Sequence, residues 1–364
     1  MELNNFTNLQ AQYVGSTLKD GREVIVLVAK GTWRIPSQGE APTLIYDNPV
    51  EIMVADSTQG DPATSPTLYE NDLAPIKPKC DVVMHACAYS PNDEAVAERV
   101  VNLIVADQID KSIRVFGPRA WKRTMLGAEP DTAQPYLKQE IRYDLAFGGV
   151  DMTDYDSKGK MHECESNPIG IGYAPKTPLQ DIVGTSAPQL EAIDQPIKSP
   201  DKKHYRPMAF GPIARRSQPR LSFGGTYDQN WLENVSPFLP DDFDEQYYQF
   251  APQDQQMNYL QGGETVTLAG VTPDQFRQFQ LPTTQLYMAV IKSGGQEEIL
   301  DCHADTLFLE PELERFTITW RAYVPIEYYP GEIDKLIVGH PTPGWRRARA
   351  KGKEYRSLKR PKTV

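Results

Sequence analysis

The stretch "EVIVLVAKGTWRIP", residues 23–36, decides the fold class. Its first half is an unbroken run of valine, isoleucine, leucine and alanine with no polar interruption. β-Branched residues in such a run favour a strand, and the absence of alternation predicts a strand covered on both faces. Further strand-like runs follow at "TLIYD" (43–47), "VEIMVAD" (50–56) and "KCDVVMHACAYS" (79–90). "AERVVNLIVAD" and "KSIRVFG" read as a hairpin across "QID" (108–110). Late in the chain, "ETVTLAGV", "QLYMAVIKSG" and "TLFLEPELERFTITWRAYV" return to the same pattern, the last as two strands turning at "EPELE". Helix signals are sparse. "TPDQFRQFQ" (272–280) has an N-cap threonine followed by proline, which predicts one short helix. The expected fold is mainly β: antiparallel, sandwich-like sheets with a long loop-rich, aromatic-rich middle layer and few short helices.

Between residues 122 and 261 the composition changes to Pro, Gly, Asp, Asn and Tyr. Disordered chains are poor in large aromatics, and this stretch is rich in them, so it reads as an ordered layer wrapped on a sheet. The expected organisation is a β region over 1–125, a loop-rich motif region over 126–262, a second β region over 263–340 and a basic tail over 341–364.

The net charge is −11, yet the last 20 residues hold nine Lys/Arg and one Glu, which leaves −19 on residues 1–344. Such a body repels nucleic acid and anionic membranes, and neither is an expected partner. The tail reads either as a segment that lies on the acidic body or on an acidic partner, or as a solvated, mobile terminus. The longest aliphatic run, "VIVLVA", is far short of the roughly 20 residues of a membrane helix. No basic-then-apolar leader is visible at the start, so a cytoplasmic location is expected. Four cysteines do not make a disulfide framework in a chain this long.

The chemical motifs fall away one by one. "GIGYAP" (170–175) follows no strand, and Pro175 and Pro178 oppose the helix that a dinucleotide fingerprint needs. Cys80, His85, Cys87, His162, Cys164, Cys302 and His303 lack the paired spacing of structural zinc, so no metal and no cofactor is expected. In "GGTYDQNWLENVSPFLPDDFD" (224–244), Asp241, Asp242 and Asp244 offer a hydrolase alternative, with turn formation as the other reading of the same carboxylates.

Four segments together resemble one family. They are "VFGPRAWKR" (115–123), "YDLAFGGVD" with "NPIGIGY" (143–151 and 167–173), "FGPIARRSQPRLSFGGTYDQNWLENVSPFLPDDFD" (210–244) and "APQDQQMNYLQGGETVTL" (251–268). In order and spacing they are similar to an uncharacterised-domain family encoded in type VI secretion gene clusters, whose members act as adaptors, or loading chaperones, for toxic effectors. The resemblance covers about residues 10–330. It departs from the family pattern at Ser217-Gln218, where a second aromatic is usual, and in the basic tail.

The resemblance implies a non-enzymatic protein without catalytic residues. Its partners would be a cognate effector, bound through an N-terminal or PAAR-type region, and the VgrG-type spike onto which that effector is loaded. Expected contact residues are Phe147, Tyr173, Phe210, Arg215, Arg216, Tyr227, Trp231 and Phe238, with Arg346 and Arg347 from the tail. A structural component of the secretion apparatus is the remaining alternative.

Overall fold

A computed structural model describes residues 1–157, 159, 161–201, 205–327, 330–353 and 355. The protein is mainly β, with antiparallel ladders predominating and only short helices. The strand Glu23–Arg34 lies inside a seven-stranded sheet, flanked by Arg315–Pro325 and by Gln10–Thr17. Ten consecutive residues of it are buried, as its unbroken apolar run requires. Ile25, Leu27 and Ala29 face the main core, while Val24, Val26 and Val28 pack with Leu18 on the other face.

The main core lies where three sheets meet. The seven-stranded sheet contributes Leu27, Met84, Leu309 and Ile318. A five-stranded sheet ordered Leu190–Ala192, Ile109–Phe116, Glu98–Val105, Thr265–Ala269 and Phe276–Gln280 contributes Val101, Leu103, Ile113 and Leu268. A four-stranded sheet adds Met288, Val290 and Leu336. Trp33 stacks on Phe316 at 5.7 Å and Phe316 on Phe279 at 5.4 Å, which joins two of the sheets through aromatic faces. Burying a side chain of this size contributes about 1.5–3 kcal/mol.

The hairpin of Glu98–Val105 and Ile109–Phe116 and that of His303–Glu310 and Arg315–Pro325 form where expected. Three local readings are corrected. Residues 50–56 are not a strand. They cross the sheet as a strap, held by Val50 N donating to Thr32 Oγ1 at 2.9 Å and Met53 N to Asp72 Oδ2 at 2.8 Å. The run 79–90 breaks at His85, because Cys80–Met84 pairs with His303–Glu310 and Ala86–Tyr89 pairs with Lys138–Ile141.

Residues 272–280 are not a helix. Gln275 has φ +70 and the Thr272–Gln275 segment closes a turn, with Gly270 N donating to Gln275 O at 2.8 Å and Gln275 N to Thr272 O at 2.9 Å. Phe276–Gln280 then pairs back on Thr265–Ala269. Within this largely antiparallel architecture, Cys80–Met84 with His303–Glu310 and Glu2–Asn5 with Ile333–Val338 are parallel pairs.

The middle region is a loop-built layer with a small core of its own. Trp121, Phe147, Cys164, Ile182, Ala187 and Tyr205 are buried together there. Gly148, at φ +155, sits so close to Asn167 that a Cβ would stand 2.1 Å from its carbonyl oxygen. Asn167 Nδ2 in turn donates to Tyr143 O at 2.8 Å and Phe147 O at 3.1 Å. The "FGG" and "NPIG" motifs thus tie one knot. Among the described residues, no helix is long and apolar enough to cross a membrane.

Candidate functional site

The motif segments converge on buried ion pairs. Glu70 accepts two bonds from Arg220, at 3.0 and 2.5 Å, and one ion-pair contact from Arg215 at 2.6 Å. Arg220 also donates to Tyr247 O at 3.0 Å and Ile213 O at 2.8 Å. Arg215 reaches Asp56 at 2.7 and 3.1 Å. Burial pushes the Arg215 guanidinium down, but the bond to Asp56 and the charge of Glu70 outweigh it, so its pKa is raised. The arginines of "RRSQPR" therefore clamp the 126–262 layer to the 56–70 segment through Asp56 and Glu70.

The "APQDQQ" motif makes a second clamp. Asp81, fully buried, accepts from Lys77 Nζ at 2.7 Å, Gln249 Nε2 at 2.6 Å and the amides of Phe250 and Ala251 at 3.0 and 3.2 Å. Gln255, also fully buried, donates to Val82 O at 2.7 Å and Phe210 O at 2.9 Å, and accepts from Lys111 Nζ at 2.8 Å. Burial lowers the pKa of Lys111, with Asp254 opposing it.

The expected contact residues divide by burial. Phe147 and Phe210 are fully buried and present no surface. Phe147 packs edge-on against Tyr205 at 4.8 Å and Tyr173 at 6.3 Å, and Tyr173 is half-buried. Arg216 is partly exposed and donates to Pro168 O at 3.3 Å.

In 224–244, Asp228 caps a helix at Gln229–Asn234 by accepting from Trp231 N at 2.8 Å. No period announced this helix. Tyr227 packs edge-on against Trp231 at 4.7 Å, and Trp231 Nε1 donates to Phe238 O at 2.9 Å. Tyr227 and Phe238 stay exposed.

Two of the three carboxylates at its end, Asp242 and Asp244, are engaged in turns, and Asp241 is exposed. Asp242 accepts from the amide and hydroxyl of Thr226 at 2.9 and 2.7 Å, and these bonds hold its carboxyl below the ordinary range. Asp244 accepts from Gln246 N at 2.8 Å as the cap of Glu245–Tyr248. A lowered carboxyl is the opposite of what a general acid needs. No group of three or more His, Cys, Asp or Glu side chains among the described residues is placed to hold a metal ion.

The basic tail begins as a helix, Pro343–Ala350, docked on the chain's own sheet. Trp345 packs with Ala289, Ile291 and Ile337 and meets Phe6 edge-on at 5.4 Å. Arg346 pairs with Glu297 at 3.1 Å, Arg349 lies 3.6 Å from the same carboxylate, and Arg347 is exposed. Lys351 and Lys353 follow and are exposed, and residues 354 and 356–364 lie outside the described residues.

One surface feature escaped the sequence reading. Trp121–Thr124 pairs with Gly127–Pro130 in register Thr124↔Gly127, so the loop is only Met125 and Leu126. Both side chains are fully exposed. Tight hairpin loops favour Asn, Asp and Gly. The root of the hairpin is rigid: Trp121 is buried and exchanges main-chain bonds with Thr185 and Gly184 at 2.9 and 2.8 Å. Beside the tip lies a groove of about 530 Å³, walled by Ala128, Ala174, Pro175, Leu179, Ile182 and Pro200. The signal was present as two large apolar residues where turn formers belong.

A bacterial family described as "Uncharacterized protein conserved in bacteria (DUF2169)" matches residues 20–321. The chain belongs to the DUF2169 family. No curated protein matches it, and no solved structure does. The DUF2169 match takes in the clamps, the Met125–Leu126 hairpin and the groove. The strand Gln10–Thr17 and the helix Pro343–Ala350 fall outside it.

Proposed function

We propose that this DUF2169 chain is a cytoplasmic adaptor that binds a type VI secretion effector and promotes its loading onto the VgrG-type spike. The observation that carries a partner-binding role is the hairpin tip, with Met125 and Leu126 held fully in water beside a groove lined by apolar Ala174, Leu179 and Ile182 and by polar Glu129, Thr177 and Lys198. Contiguous exposed apolar surface of this kind marks sites of protein contact. Covering the two side chains would contribute about 3–6 kcal/mol in gross transfer free energy. The resemblance of the four motif segments supplies the class of partner: an effector, joined through its N-terminal or PAAR-linked region.

Co-expression with an effector toxin, sought among the neighbouring genes, tests this reading. The pair is expected to co-elute from a sizing column and to keep the toxin soluble. Met125→Ser with Leu126→Ser should weaken the complex about tenfold or more, while stability moves by less than about 0.5 kcal/mol. Separate elution of wild-type protein and toxin at low and physiological salt alike sinks the proposal.

A further inference from the structure

The outermost strand of the seven-stranded sheet, Gln10–Thr17, pairs only with Glu23–Arg34, in continuous register from Gln10↔Lys30 to Thr17↔Glu23. Its hydrogen-bond phase follows from the ends of the ladder. Leu18 N donates to Arg22 O at 2.9 Å, so the alternate residues Gln10, Gln12, Val14 and Ser16 bond inward. On the far side of Glu23–Arg34, Ile326 N donates to Glu23 O and Ile35 N to Glu314 O, which assigns the odd residues of that strand to Arg315–Pro325 and leaves the even ones for this edge. Ala11, Tyr13, Gly15 and Thr17 therefore turn their main-chain N–H and C=O groups outward. Among the described residues no strand lies beyond them and no backbone bond reaches them.

Open edges are normally blunted by short length, charge, proline or a bulge. This one has eight residues and none of those devices. The sheet's opposite edge, Gln256–Met257, has only two residues. The edge Glu297–Ile299 has three, two of them glutamates. Gly15 is exposed, and a Cβ built there meets nothing within 4 Å, so the backbone is open to approach at the strand's middle.

We infer that Gln10–Thr17 is a docking edge that takes an extended, cationic segment of another protein as an added strand. Main-chain pairing selects the extended conformation. Charge selects the partner: residues 1–344 carry −19 within a chain total of −11, so a second copy is repelled and a basic segment is attracted. The inference does not depend on the loading role, because it concerns any strand of that chemistry.

The probe is a short synthetic peptide alternating Lys with Thr and Val, compared with its Glu counterpart. Hydrogen exchange over residues 10–17 is expected to slow with the Lys peptide only, and the effect to fade at about 0.5 M salt, where the screening length is a few ångström. Gly15→Pro removes one outward donor and leaves the inward ladder whole, since proline is tolerated with its nitrogen facing out of an edge. It should retain the wild-type melting temperature and bind about tenfold more weakly. Ser16→Pro, which breaks the inward ladder, should instead destabilise the fold. Unchanged exchange with the Lys peptide overturns the inference, as does undiminished binding by Gly15→Pro. Sedimentation that shows wild-type dimers abolished by Gly15→Pro overturns the choice of partner.

Discussion

Replacing Glu70 by alanine tests the claim that the motif arginines hold the fold. The Glu70 carboxylate is 4% exposed and the Arg220 guanidinium 1% exposed. Three charge-assisted contacts end on Glu70: two from Arg220 and one from Arg215. Without it, Arg220 keeps only the carbonyls of Tyr247 and Ile213, and its charge stays buried. Breaking a buried pair from one side costs about 3–5 kcal/mol. With an m-value of about 3 kcal/mol per M in urea, the unfolding midpoint should fall by about 1–1.7 M. A cycle with Glu70→Leu and Arg220→Met separates pairing from packing. Removing both charges should recover most of the loss, because neither buried ion is left alone. The reasoning is refuted if Glu70→Ala lowers stability by less than about 1 kcal/mol, or if the double replacement loses as much as the two single ones added.

Gly148→Ala should destabilise the protein by more than about 1–3 kcal/mol, the usual cost of a strained backbone. Its φ is +155 and its new Cβ would meet Asn167 O at 2.1 Å, so denaturant midpoints should show a loss well beyond that of a surface change. Trp345→Ala should cost about 3 kcal/mol and expose Pro343–Ala350 to hydrogen exchange, as expected for a large buried aromatic. Arg346→Ala, at an exposed pair with Glu297, should cost less than about 1 kcal/mol. Asp151 supplies a pH test. Burial acts to raise its carboxyl, but the amides of Lys176 and Thr153 and the hydroxyls of Thr153 and Thr177 outweigh that, so its pKa is lowered. Its contribution is complete above the unfolded value of about 4 and is lost as pH falls through the folded value. Asp151→Asn should flatten the slope of urea midpoint against pH below about pH 4.

Elements formed by local pattern were legible in the sequence. The buried run of Glu23–Arg34 and the two long hairpins, Glu98–Phe116 and His303–Pro325, are each specified within one short continuous stretch, by β-branched composition and turn chemistry. Pairings set by distant chain were not. Nothing near Cys80–Met84 announces that its parallel partner is His303–Glu310. The misread stretch 272–280 shows why one signal misleads. Thr-Pro opens a turn as readily as a helix, and the left-handed Gln275 that decides the matter leaves no mark in composition. The candidate surfaces differ in the same way. Met125–Leu126 left a local mark that went unread, two apolar residues in a tight turn, whereas the open state of Gln10–Thr17 depends on what fails to pair beyond it.

The stretch 224–244 joins these threads. Asp228, Asp242 and Asp244 serve caps and turns, its tryptophan closes on the carbonyl of Phe238, and the Phe238 ring stands over Gly21, 3.4 Å from where a Cβ would be. Gly21, at φ +85, lies in the hairpin between Gln10–Thr17 and Glu23–Arg34. The motif segment therefore braces the turn that launches the open edge, from a position where its own ring remains half in water. Phe210, by contrast, is wholly inside the main core. Phe210→Ala should cost about 3–5 kcal/mol. Phe238→Ala should cost far less overall and act locally, speeding amide exchange over residues 18–22 while leaving Arg220 and Glu70 protected. Equal exchange at that hairpin in wild type and Phe238→Ala would remove the brace and leave the ring as contact surface alone.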